Sequence, residues 1–148
     1  MGDRRLAREL VVQSLYEIAQ SGTDWRRALE ANLERRAAAR GPVRAYAERL
    51  LREIEARREE IAVKLAESVT HWSLERVALV ERCVLEAAAA EILYFPDVPA
   101  AVAIHEAVEI ARKFSTEESG GFVNGVLDRI ARDADRTPAA ADAGEGEA

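Results

Sequence analysis

Arg4 and Arg8 stand one helical turn apart near the start of the chain, and Arg5 lies about 100° round the same helix. Three guanidinium groups projecting from two turns make a compact contact for phosphate oxygens, which the planar guanidinium grips in pairs. Cations also sit poorly at the positive end of a helix dipole, so an external anion suits them. A competing reading pairs Arg5 with Glu9 and leaves the other two to solubilise the terminus. Spacing alone leaves both open. A second candidate is Ser115-Thr116-Glu117-Glu118-Ser119-Gly120-Gly121-Phe122, which reads as a polar loop from Ser115 to Gly121 leading into a last helix. At about 100° per residue, Phe122 falls roughly a right angle from the apolar line of Val123, Val126, Leu127 and Ile130. A ring there can stack on an unpaired base while free amides meet a phosphate, or it can staple the loop to a neighbouring helix.

Other chemistries find little support. His105 and Glu109 share a helix face, but two ligands make a weak metal site and the second histidine, His71, is distant in sequence. The pair reads as a solvated histidine with an acid one turn away. Cys83 lies in a nearly continuous apolar segment and reads as a small buried residue, with no neighbouring His to activate it. No Gly-rich phosphate loop with Lys, Gly-x-Ser-x-Gly elbow or His-Glu-x-x-His pattern occurs. The sequence therefore points to a binding protein, not an enzyme, with no metal and no cofactor.

The elements that position these residues are helices. Of 148 residues 49% are hydrophobic, 32% are charged and only 12 are Gly or Pro, which suits one all-α domain. Apolar residues at three- and four-residue intervals predict helices over 3–20, 25–40, 43–69, 77–93, 100–114 and 122–134. Gly22, Gly41-Pro42 and the prolines at 96 and 99 separate them, and Ser73 is placed to cap a further short segment. The domain is expected to span residues 1–134, followed by a disordered Pro, Ala, Gly and acid tail over 135–148.

The net charge of −6 excludes a protein that coats nucleic acid by bulk electrostatics. Residues 1–66 nevertheless carry 14 Lys and Arg against 11 acids, whereas residues 67–148 carry 7 against 16, so an anion site belongs in the first half. One cysteine permits no internal disulfide, and neither a signal peptide nor a membrane span is visible, which suits the cytoplasm.

Taken together, Arg4-Arg5-Leu6-Ala7-Arg8-Glu9-Leu10 with Gln13-Ser14-Leu15-Tyr16 resembles the opening of the NusB transcription antitermination factors. The run from Ala103 to Phe114, then Glu117-Glu118-Ser119 and Phe122-Val123-Asn124-Gly125-Val126-Leu127-Asp128, resembles that family's closing signature, with Glu81-Arg82-Cys83-Val84-Leu85 and Glu91-Ile92-Leu93 between. The resemblance covers about residues 4–132 and implies seven helices in two helical subdomains. It further implies binding of the single-stranded boxA element of ribosomal RNA leaders together with the ribosomal protein NusE, within the RNA polymerase antitermination complex. By the same resemblance, Arg4, Arg5 and Arg8 would contact RNA, Gln13, Tyr16, Glu118 and Phe122 would lie at the RNA surface, and Glu81 would face the partner protein. Departures from the family pattern are His105 for Asn, Glu86 for Arg, Ala89 for an aromatic and Gly121 for Lys or another polar residue. The resemblance leaves monomer or homodimer open. Two other readings remain: a helical protein-binding adaptor without RNA contact, and the RNA-binding domain of a ribosomal RNA methyltransferase, against which the lack of a cofactor-binding domain after Ala148 counts.

Overall fold

The computed structural model describes residues 2–36, 40–69 and 77–136, and these residues form seven α-helices with no strand among them. Helix α1 (Asp3–Ser21) ends where Gly22 enters the left-handed region at φ 72° and returns its N–H to the Ile18 carbonyl at 2.9 Å. Nothing lies within 4 Å of a Cβ built on Gly22, so Gly22→Ala isolates the backbone cost. It is expected to lower stability by about 1 kcal/mol, read as a shift in the denaturant midpoint at constant slope. Helix α2 (Trp25–Glu34) is capped by Asp24, whose carboxylate accepts the Arg26 N–H at 3.1 Å. It is shorter than its apolar line suggested, because Arg35 already serves as the C-cap.

One expected helix is in fact two. The apolar period from Val43 to Val69 is unbroken, yet α3 (Gly41–Ala56) and α4 (Arg58–Ser68) meet at Arg57, which leaves helical geometry at φ −112° and ψ 22°. Neither Gly nor Pro marks the bend. Hydrogen bonding continues through it, from Arg57 N–H to Glu53 O and from Ile61 N–H to Arg57 O, both at 3.0 Å. The bend lets one apolar line serve two partners: α3 packs on α1, whereas Ile61 and Leu65 of α4 pack toward α5 and α7.

The prolines at 96 and 99 separate α5 (Leu79–Tyr94) from α6 (Ala100–Phe114). The polar loop expected over Ser115 to Gly121 is corrected in the same way, because α7 (Glu117–Asp133) begins inside it. Thr116 caps this helix by accepting the Ser119 N–H at 3.2 Å, and the Ser119 hydroxyl accepts the Thr116 N–H at 3.3 Å. Gly120 is buried, and a Cβ there would come within 2.7 Å of Nε on the Arg112 side chain, which would have to shift to make room.

Helices α1–α3 form one group and α4, α6 and α7 the other. Helix α5 runs between them and touches α1, α3, α4, α6 and α7. Its buried Ala87–Ala90 stretch allows that close approach on several sides, as its nearly all-round apolar sequence predicts. Both groups share one continuous core. Among the described residues no helix is long and apolar enough to cross a membrane. The Thr70–Ser73 joint with its Ser73 cap, His71, and the tail from residue 137 onward lie outside the described residues.

Candidate nucleic-acid interface

The N-terminal arginines fan out to three depths. Arg4 is half-buried, with its guanidinium 4.6 Å from the Tyr46 ring centroid and 3.6 Å from an Asp97 oxygen. Arg5 makes a two-pronged contact with Glu106 on α6, through Nε to Oε1 and through Nη2 to Oε2 at 2.8 Å. Arg8 does not project: it is 3% exposed and donates through Nε to both Glu91 oxygens at 3.1 and 2.9 Å. The expected surface cluster of three guanidiniums is therefore two at the surface and one beneath. The reason is angular, since Arg8 shares a face with Leu15 and Val12 that α5 covers.

Buried charge is satisfied by a network. Glu91 on α5 receives Arg8 from one side and the Tyr46 hydroxyl from another. Burial raises the Tyr46 phenol well above its usual range, and the Glu91 charge adds to the effect, so this hydroxyl stays protonated and donates. Arg8 Nη1 also lies 3.7 Å from Glu106, which links the inner pair to the outer one. Burial pushes the Glu106 carboxyl up, but the Arg5 hydrogen bond and the charges of Arg5 and Arg8 outweigh it and hold the group below the usual carboxylate range. The Arg5–Glu9 pair of the competing reading does not appear among the ion pairs of either residue. Instead, buried Glu9 accepts both its bonds from Lys113 Nζ at 3.1 Å.

The Glu106 shift has a sign that can be tested. Its folded-state value lies below the unfolded value of about 4.3, so its contribution is fully present above that pH and is lost as the pH falls below it. Thermal midpoints measured between about pH 6 and pH 3 should therefore fall less steeply in Glu106→Gln than in the wild type, with the two curves separated near pH 6 and converging below about pH 4.5.

About 12 to 18 Å further along α1, Gln13 and the exposed Tyr16 line an open groove of about 470 Å³ with Val12, Asn32, Val80 and Phe114. Lys113 crosses toward it, its Nζ 5.4 Å from the Phe114 ring centroid. Glu118 is exposed in the first turn of α7. Phe122 sits in the second turn of that helix instead of at its start, half-buried against the core, which joins stapling to partial exposure. Glu81 is half-buried at the start of α5 and accepts a hydrogen bond from the Ser119 hydroxyl, fixing the beginning of α7 against α5. Seen this way, α1 carries a basic end at Arg4 and Arg5 and a polar, aromatic end at Gln13 and Tyr16.

Sequence reading missed Lys113, Tyr46, Asp97 and Glu106 as members of this surface, because each is far in sequence from the α1 side chain it meets. The available signal was Glu9, an acid on the apolar side of α1 that needs a distant cation. His105 is exposed, and Glu109 pairs with Arg112 at 3.3 Å. Among the described residues no group of three or more metal-ligating side chains is found. Cys83 is buried, with its thiol pushed up to about 12 by burial, as a packing residue should be. Glu86 lies 3.8 Å from Arg58 and is also raised by burial.

A family model described as the NusB family matches residues 5–132. The chain is 41% identical over 145 residues to the transcription antitermination protein NusB of Methylacidiphilum infernorum, covering 92% of this chain and 95% of that one. Among solved structures, NusB of T. maritima superposes with a TM-score of 0.81 at 33% identity, covering 95% of this chain and 96% of that one. A chain in the crystal structure of a plectonemic RNA supercoil superposes at 0.84 with 26% identity, covering 90% and 96%.

Proposed function

The chain belongs to the NusB family, and we propose that it is a cytoplasmic, non-catalytic transcription antitermination factor that binds boxA RNA jointly with NusE and helps RNA polymerase read through terminators. The observation that carries this reading is the composite α1 surface, with Arg4 and Arg5 at one end of the helix and the groove lined by Gln13 and Tyr16 toward the other. Guanidiniums of this kind hold phosphates in position, while a ring and an amide read unpaired bases. A fold shared at 26% identity with a chain found in an RNA crystal supports it.

In this reading, Arg4 and Arg5 exchange Asp97 and Glu106 for phosphate oxygens, and Arg8 positions them from below through Glu106. Gln13, Tyr16 and Phe122 meet the bases, Glu118 borders the strand, and Glu81 lies toward the partner protein. The RNA-binding domain spans residues 1–134, with the acidic segment 135–148 outside it. Because carboxylates already occupy both surface arginines, RNA affinity of the protein alone is weak, and NusE supplies the remaining positive surface.

Fluorescence anisotropy of labelled boxA RNA, with and without NusE and against a scrambled RNA, tests this reading. Selective binding that strengthens with NusE and weakens with salt is expected. No RNA binding even with NusE present would leave the helical adaptor reading in its place.

A further inference from the structure

Beyond the α1 surface, a second set of arginines runs across α3 to the start of α2. Arg49 is hydrogen-bonded to the same Asp97 that Arg4 approaches, at 2.7 and 3.1 Å, and its guanidinium lies 5.7 Å from the Tyr46 centroid on which Arg4 also stacks. Arg52 follows three residues later on the neighbouring face of α3, with its guanidinium 5.8 Å from the Trp25 ring centroid. Arg26 covers the same ring at 4.4 Å. Arg26 and Arg52 are exposed, and among the described residues neither makes an ion pair. The nearest acids on these helices are engaged elsewhere: Glu30 and Glu48 with Arg44, Glu53 with Arg57, and Asp24 as the α2 cap.

This arrangement is unusual for the molecule. Most of its other exposed arginines are matched to carboxylates, yet here two unmatched guanidiniums frame one half-buried indole. A planar ring between cations suits single-stranded RNA, whose phosphates meet the arginines and whose base stacks on or beside the ring. We infer that Arg49, Arg52, Trp25 and Arg26 form a second RNA contact, which takes the nucleotides flanking the boxA element as the strand leaves Arg4. The inference rests on the α1 surface being the primary RNA site. It implies that the strand turns from α1 across α3 and does not end at the arginine pair.

The test compares two labelled RNAs, the boxA element alone and boxA extended at each end by unstructured uridines, on the wild type and on the variant Arg26→Gln/Arg52→Gln. The extended RNA is expected to bind wild type about tenfold tighter than boxA alone. The variant should remove that gain and reduce the slope of log affinity against log salt by about 1.4, for two lost phosphate contacts, without changing affinity for boxA alone. A gain that is absent, or that survives in the variant, overturns the inference. In a Trp72→Phe background, Trp25 is the sole tryptophan, and oligouridine at low salt should quench its emission whether or not boxA is recognised. Unchanged emission overturns the second contact even where boxA binds. Equal quenching by polyglutamate reassigns the surface to acidic protein and likewise overturns it. Failure of the primary reading shows separately, as equal binding of boxA and a scrambled element.

Discussion

Replacing Glu91 by alanine should destabilise the protein by about 3–5 kcal/mol, with a fall in melting temperature on the order of 10 °C. Glu91 is 1% exposed and Arg8 is 3% exposed, so solvent screens neither. The substitution leaves a guanidinium buried beside the apolar faces of α1 and α5, and it takes from the Tyr46 hydroxyl its acceptor. Burial of both charges is itself costly, and it is the loss of one partner that makes the change severe. A double change, Arg8→Met with Glu91→Met, should recover most of the lost stability, because apolar side chains of similar volume remove the unpaired charge. Chemical denaturation of Arg8→Met, Glu91→Met and the double variant measures the coupling directly. Simple additivity of the single losses would contradict the paired account.

Removing the two surface guanidiniums should have the opposite profile, with a small effect on stability and a large one on RNA. Arg4→Ala/Arg5→Ala breaks only partly exposed ion pairs, each worth up to about 1 kcal/mol. For RNA, two charge-assisted phosphate contacts at about 1.5 kcal/mol each correspond to a loss of roughly 100-fold in boxA affinity. The salt slope should flatten by about 1.4 in the same variant. NusE affinity measured without RNA should be unchanged, which separates lost RNA contact from lost fold.

The two substitutions also show what a sequence can and cannot say here. Helix positions were legible wherever apolar periodicity ended at a Gly or Pro signal, as at Gly22, Pro42 and Pro99. The bend at Arg57 was not legible, because its cause is tertiary: one apolar line turns from α1 toward α7 with no breaker residue. The start of α7 was misread for a local reason. Ser119, Gly120 and Gly121 have loop-like preferences, yet Thr116 and Ser119 cap each other, and Gly120 is buried beneath the Arg112 side chain inside the helix. At the candidate site, residue types and their order along α1 were visible, but depth was not. Arg4, Arg5 and Arg8 look alike in sequence, and only the packing of α5 and α6 against α1 decides that Arg8 turns inward to Glu91. The acids that hold these arginines come from α5, α6 and the turn between them, at separations no local pattern encodes.

The central claim is that boxA RNA lies along α1 from its arginine end to its groove. Backbone amide chemical shifts of the isotope-labelled protein, followed while unlabelled boxA RNA is added in the presence of unlabelled NusE, test it most directly. Shifts from RNA addition should concentrate at Arg4, Arg5, Gln13, Tyr16, Lys113 and Phe122, while the buried Ala87–Ala90 stretch of α5 stays fixed. RNA-dependent shifts that leave α1 unmoved would contradict the claim.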